Sequence, residues 1–491
     1  MIKDLFKHNE FDSLRTKVKK GVVWTGAISL WTRLLGFVSA AIITRILSPD
    51  DFGLLAISMS VIAIAASLTS TGFSSAIIQK QNDSEKLLNT AWTMELVRGL
   101  ILFSLLFFFA PLISSFYEDE RLLLILRVLS ISFLFTSFQN IGVVLFRKNL
   151  DIRKEFLFGA VPDFLYLISI IVLTFWLRNV WALVIATVLV SFYRTIMSFI
   201  IHPHKPKIDF NFQNIIELFS FGKWILFEGI IAVSRNQGIS LFVGKVFNIS
   251  NLGNYNRAET FSQTIFFELS QTLWKVGYPT YSKLSNDKVK FKKFFLLGLK
   301  TITLIGFPMA FGLFFVSPML VTNILTEKWA AIIPLMQLFS INAILGFIQT
   351  PIGISFQALG KPSIGSKLSM WNFIIFILLL YPIILNMDLS GVIIASIIAN
   401  LIVFPIGWIK ISRILNIGFL EFLSVIIPQL IISFIMLICL FVFDKYFYSM
   451  NSFFDLILAI ISGISIYLVT ILISEKLRLT TFKDLVKNYT G

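Results

Sequence analysis

The sequence predicts an all-α polytopic membrane protein of about fourteen transmembrane helices, built as two pseudo-symmetric six-helix bundles plus two C-terminal helices. Three observations predict it: fourteen apolar stretches of membrane-spanning length, a regular alternation of basic and cation-poor loops, and an internal repeat offset by 200 residues. Composition frames all three. The 491 residues are 56% hydrophobic and only 14% charged, with 52 phenylalanines and a mean hydropathy of +0.84. A soluble domain is about 45–50% apolar and about 25% charged, so this chain lacks the polar groups to cover a water-facing surface. Lipid-facing helices remove that requirement.

Apolar stretches of about 18 or more residues, the length a helix needs to cross the hydrocarbon core, occupy 20–46, 53–79, 90–116, 121–146, 156–177, 180–201, 217–245, 254–282, 294–318, 331–358, 364–385, 389–409, 420–443 and 453–474. The second, seventh and eighth carry the most polar residues. With fourteen spans, both termini and every second loop share one side, which holds 27 lysines and arginines; the opposite loops and adjoining helix ends hold seven. Cytoplasmic loops are enriched in these residues, so both termini are predicted to be cytoplasmic. The net charge of +15 is therefore a topology signal, and no nucleic-acid partner is expected. The implied organisation is a basic cytoplasmic segment (1–19), an N-terminal bundle (20–202), a cytoplasmic linker (203–216), a C-terminal bundle (217–411), two extra helices (412–474) and a cytoplasmic tail (475–491). No signal peptide is expected, because the first apolar segment follows about twenty mostly polar residues and is too long for an h-region.

The loops leave no room for an extramembrane domain. The longest is about fifteen residues, and the outer ones are stubs such as Tyr117-Glu118-Asp119-Glu120. There is no phosphate-cradling glycine loop, metal-ligand cluster or nucleophile triad. The single cysteine, Cys439, excludes an internal disulfide, and His202-Pro203-His204 reads as a solvated loop rather than a metal site. No enzyme, metal or bound cofactor is expected. These features point to a secondary transporter.

The repeat supports that class. Gly21-Val22-Val23-Trp24, Arg33-Leu34-Leu35-Gly36 and Arg45-Ile46-Leu47-Ser48-Pro49-Asp50-Asp51-Phe52-Gly53 surround the first span. Gly222-Lys223-Trp224, Arg235-Asn236-Gln237-Gly238 and Lys245-Val246-Phe247-Asn248-Ile249-Ser250-Asn251-Leu252-Gly253 surround the seventh, the last segment offset by 200 residues with identical spacing. Six spans separate the copies, so the repeats run parallel, the class whose halves rock about a central site.

Polar residues inside helices indicate what crosses between the halves, since charge in hydrocarbon is costly and faces a cavity or a partner. The eighth span is the richest. Arg257, Thr260, Thr264, Glu268, Gln271 and Lys275 follow at intervals of three or four, which puts them on one helical face. Arg33 lies near the middle of the first span; Arg235, Asn236 and Glu228 lie in the seventh. Asp163 follows Pro162 in the fifth, and Glu95 and Arg98 stand three apart in the third. The last two read as a local ion pair. Glu228 and Asp163 either carry a proton or pair with an arginine. Arg33, Arg235, Arg257 and Lys275 outnumber Glu268 in spans one, seven and eight, so the predicted cavity is cationic and suits a phosphate or diphosphate cargo.

The opening Gly-Val-x-Trp…Arg-x-x-Gly, the Leu47–Gly53 turn and the Asn251-Leu252-Gly253-Asn254-Tyr255-Asn256-Arg257-Ala258 entry to the eighth span resemble Wzx-type polysaccharide flippases. The resemblance is closest to the branch associated with colanic and teichuronic acid export, within the multidrug/oligosaccharidyl-lipid/polysaccharide superfamily, and runs through about residues 15–480. It implies a V-shaped twelve-helix core with two further helices in the bacterial cytoplasmic (inner) membrane. It also implies transfer of undecaprenyl-diphosphate-linked oligosaccharide to the outer leaflet, with H+ or Na+ coupling proposed in parts of the superfamily. Membrane lipids, a polysaccharide polymerase and a chain-length regulator are the partners it suggests. A cation-coupled drug antiporter of the same fold would want acids in spans one and seven, where Arg33 argues against it and Glu228 for it. A membrane-embedded glycosyl- or acyltransferase would need a catalytic carboxylate or histidine on an outer groove, and none is evident.

Overall fold

The computed structural model describes residues 39–68, 84–148, 151–212, 237–447 and 452–476, with Gly36, Ile77 and Val233 besides. Among these there are helices and no strands: α1 (Pro49–Leu68), α2 (Ser84–Tyr117), α3 (Arg121–Ser137), α4 (Val144–Lys148), α5 (Ile152–Leu177), α6 (Trp181–Ile201), α7 (Ile249–Lys283), α8 (Lys288–Leu320), α9 (Ile332–Ala358), α10 (Pro362–Leu415), α11 (Phe419–Phe447) and α12 (Phe453–Lys476). In hydrocarbon every backbone polar group must be satisfied within the chain, which leaves helices as the solution for such apolar runs. Nine of the described helices are long and apolar enough to cross a membrane. The chain is a multi-pass membrane protein.

The described helices follow the spans read from sequence, with three informative departures; most of the first and seventh spans lies outside the described residues. The fourth span breaks after Ser137, where the fully buried Asn140 caps a short 3-10 turn by accepting from the Gly142 N–H. The eleventh and twelfth spans run on as the 54-residue α10, interrupted at Asp388 by a non-helical backbone (φ 47°, ψ −143°). A Cβ on Gly391 would come within 3.1 Å of the Ile384 backbone, so the two halves of α10 turn tightly there. Third, α7 is a single 35-residue helix, about 52 Å long.

The chain divides into two compact units, residues 1–253 and 254–491. In the first, α2 packs on α3, α5 on α6 and α3 on α6. The beginning of the linker is strapped to this unit. Asn140 Nδ2 donates to the His204 carbonyl at 2.6 Å and its backbone N–H to Ser198 Oγ at 2.9 Å. The Asp209 N–H donates to Thr93 Oγ1 at 2.8 Å, and Thr90 donates to the Asp209 carboxylate. His202 and His204 are consequently half-buried rather than part of a solvated loop, a correction to the sequence reading. Asn140 supplies the cause, because its amide needs carbonyl partners when buried.

In the second unit α8 is the central helix, packed against α9, α11 and α12, with α10 on α9. Phe291, Phe295, Phe307, Phe347 and Phe356 fill its core with Trp408, all buried, and Trp408 stacks on Phe422 at 3.8 Å. Prolines within α8 lock the neighbours in place. Proline removes an N–H and so frees the carbonyl four residues earlier. Pro308 frees that of Leu304, which accepts the Tyr467 O–H of α12 at 2.5 Å. Pro318 frees that of Phe314, which accepts Gln337 Nε2 of α9 at 3.3 Å.

Candidate functional site

The local sequence of α7 explains its shape. Asn248 begins the helix by accepting the Asn251 N–H at 2.8 Å, and the run contains no proline until Pro279. One side of the helix is apolar and packed. Ala258, Phe261, Leu269 and Leu273 lie on it, Phe266 packs against Phe347, and Ser270 bonds Thr350 of α9 at 3.2 Å. On the other side Thr260, Thr264 and Lys275 are exposed, and Arg257, Glu268 and Gln271 are half-buried. The threonine hydroxyls donate back to their own helix, Thr260 to Asn256 O at 2.7 Å and Thr264 to Thr260 O at 2.6 Å. Their remaining lone pairs face outward as acceptors.

This face differs in kind from the other exposed surface of the unit. The open sides of α10 and α11 carry Leu378, Tyr381, Leu385, Phe434, Ile438 and Phe441, as hydrocarbon contact demands. A face bearing arginine, glutamate, glutamine and lysine is costly to place against lipid chains. It suits an aqueous path.

The other sequence candidates separate into groups. Arg33, Arg235, Asn236 and Glu228 lie outside the described residues. Asp163 pairs with Arg194 at 2.8 Å, the second of the two roles open to it, and Glu95 pairs with Arg98 at 2.7 Å, as expected. Residues that the three-to-four periodicity passed over also emerge. Glu259 is half-buried on α7 but out of register with the polar face. Arg127 places its guanidinium carbon 4.8 Å from the Phe107 ring centre and forms no ion pair among the described residues. Asn372 donates to Asn400 and Asn400 to Asn342, each at 3.0 Å; single asparagines in three successive apolar spans were the available signal. Among the described residues no group of three or more His, Cys, Asp or Glu is placed to hold a metal.

The sequence repeat meets itself inside the first unit. A Cβ on Gly53 would stand 1.8 Å from the Ile249 carbonyl oxygen, and one on Gly253 would stand 1.8 Å from that of Pro49. Positions 49 and 249, like 53 and 253, are repeat mates, so the contact is reciprocal, the mark of a local two-fold relation. Both helix starts are capped alike, Ser48 Oγ accepting the Asp51 N–H at 3.3 Å and Asn248 accepting that of Asn251 as described above. Beside the seam, Lys245 donates to Phe116 O at 2.6 Å and to Glu118 at 2.9 Å, and Tyr117 donates to Leu241 O at 3.1 Å. Arg121 bridges Asp119 at 2.7 Å and Asp50 at 3.4 Å. The hydrogen bond and charge of Lys245 hold the Glu118 carboxyl below the usual range. Burial pushes Asp119 up, but the hydrogen bonds from Arg121 outweigh it and hold Asp119 low.

A multi-pass membrane protein with an internal sequence repeat and a polar helix face belongs to the class of membrane transporters. The fold agrees: the chain superimposes on "Lipid II flippase MurJ, inward closed conformation" with a TM-score of 0.73 at 18% identity, covering 92% of this chain and 99% of that one. An inward-facing MATE-family multidrug resistance transporter of the MOP superfamily superimposes with a TM-score of 0.60 at 14% identity, over 78% and 95% of the two chains. The sequence pattern of the family described as "Polysaccharide biosynthesis protein" matches residues 42–334, more than half of the chain, and the protein belongs to that family. It is similar to the lipopolysaccharide biosynthesis protein WzxC of Escherichia coli K12, 25% identical over 74% of this chain and 75% of the relative. It is also similar to the teichuronic acid biosynthesis protein TuaB of Bacillus subtilis 168, 24% identical over 72% and 74%.

Proposed function

We propose that the protein is a flippase that carries undecaprenyl-diphosphate-linked oligosaccharide from the cytoplasmic to the outer leaflet by alternating access, in polysaccharide export. The observation that carries this reading is the polar face of α7, with Thr260, Thr264 and Lys275 exposed, beside open sides of α10 and α11 that are apolar. Membership of a polysaccharide biosynthesis family and a fold shared with a lipid-linked precursor flippase support the choice of cargo. In this reading the bundles 20–202 and 217–411 rock about the path, in the bacterial cytoplasmic membrane with both termini inside. Arg257 and Lys275, with Arg33 and Arg235, bind the diphosphate; Thr264, Gln271 and Asn236 are polar residues lining the path. Glu268 and Glu228 are the acids available to a coupling H+ or Na+, Asp163 being taken by Arg194. A polymerase and a chain-length regulator act on the delivered unit.

Complementation tests the reading. In a bacterium lacking its own flippase, the wild type is expected to restore surface polysaccharide. Arg257→Ala and Lys275→Ala, expressed to equal levels, are expected to lose about tenfold or more, the scale of one charge-assisted phosphate contact. Failure of the wild type across related substrates, with gain of resistance to cationic dyes, would replace the flippase with a drug antiporter.

A further inference from the structure

The polar face of α7 carries a second chemistry that the diphosphate does not use. Phe267, Trp274 and Tyr278 stand seven and four residues apart. At 100° per residue they lie within about 40° of one another, spaced by about 10 Å and about 6 Å along the helix axis. Their arc borders that of Thr264, Gln271 and Lys275, the two centred about 60° apart, so the rings flank the face argued above to be aqueous. Phe267 is 55% exposed and Tyr278 42% exposed. Trp274 is half-buried, its inner part packed against the phenylalanine core, and its ring centre lies 6.4 Å from that of Tyr278. Next to it α9 offers Gly353, where an added Cβ would only just touch the indole at 4.0 Å. The core thus holds the indole in one orientation.

Exposed rings on a membrane protein ordinarily meet lipid, but here they run beside a strip of the same helix that carries an amide, a carboxylate and an ammonium. Lipid chains match the rings and not the polar groups; a diphosphate matches the cations and not the rings. A pyranose matches both. Its ring C–H bonds form an apolar patch that stacks on an aromatic face, and the hydroxyls around its edge reach hydrogen-bonding neighbours. Binding sites in general combine aromatic walls with a few placed polar groups, and aromatic faces add affinity beyond the area they cover.

We infer that Phe267, Trp274 and Tyr278 form a saccharide-stacking track, with Gln271 and Glu268 as partners for the sugar hydroxyls, which holds the glycan of the cargo separately from its diphosphate. The inference rests on the flippase reading and adds where on the path the sugars bind.

The test compares two kinds of probe on the purified full-length protein in detergent. One is undecaprenyl diphosphate; the others are the same lipid bearing a single glucose, galactose or N-acetylglucosamine. The wild type is expected to bind at least one glycosylated probe more tightly, by about fivefold for each ring engaged. Phe267→Leu and Tyr278→Leu are each expected to lose that increment while keeping the affinity for undecaprenyl diphosphate, which also reports that they fold. Tyr278→Phe should retain most of it. Equal affinity of the wild type for bare and glycosylated lipid, or an unchanged increment in both leucine variants, would overturn the track and leave the flippase standing. No binding of any probe to the wild type would overturn the flippase and the track together.

Discussion

At the scale of single residues, the structure separates polar groups that hold the protein together from those available to a cargo. Tyr467 belongs to the first kind. Its hydroxyl satisfies the carbonyl that Pro308 frees, and Tyr467→Phe leaves that carbonyl bare among apolar side chains. The expected cost is about 1 kcal/mol, read as a lowered unfolding midpoint in detergent with α12 loosened first in hydrogen exchange. Glu118 belongs to the surface. Its carboxyl is depressed by Lys245, so the pair contributes above the ordinary carboxylate range and is lost as pH falls through the lowered folded value. No change in the Lys245 environment is therefore expected near neutral pH, with release only below the ordinary carboxylate range. A transition near neutral pH, followed by a probe at position 245, would remove this assignment. Asp163 shows how a sequence candidate can become a structural one, since its pairing with Arg194 turns a proposed proton carrier into an ion pair.

At the scale of elements, the seam between the starts of α1 and α7 depends on two glycines. Any side chain at Gly253 must displace the Pro49 carbonyl. Gly253→Ala is expected to open the seam, and Gly253→Val to open it further. The measurement is the labelling rate of a cysteine placed at Ser250, in a background with Cys439 replaced; a rate unchanged from Gly253 would show that the contact is not tight. α7 is the other element with a divided role. Its packed face obeys the same apolar rule as its neighbours, while the opposite face breaks it for about five turns, from Arg257 to Lys275. With the second and seventh, this span carries the most polar residues in the sequence, and the same property makes it the candidate for the path.

At the scale of the whole molecule, the expected direction of transport has a physical driving force. If about two negative charges cross an inside-negative potential of about 150 mV, export is favoured by about 7 kcal/mol. The rate of flipping in proteoliposomes is accordingly expected to rise with an inside-negative potential and fall when it is reversed. Indifference to voltage would instead require an exchanged ion or a neutralised cargo.

Hydropathy was enough to determine the class, an all-α polytopic membrane protein, and the short motifs at Leu47–Gly53 and Asn251–Ala258 carried the family resemblance, because each is a property of the chain read one residue at a time. The periodicity of α7 also located Arg257, Thr264, Glu268, Gln271 and Lys275 on a single face. Tertiary structure alone decided which face was packed, since that depends on Phe266, Leu269 and Leu273 meeting distant aromatics. It decided that the two halves of the repeat touch through Gly53 and Gly253, a contact between residues some 200 positions apart. It also decided that Asn140 and Tyr467 serve the backbone, because the carbonyls they bond are exposed by a helix break and by a proline whose neighbours no linear pattern specifies.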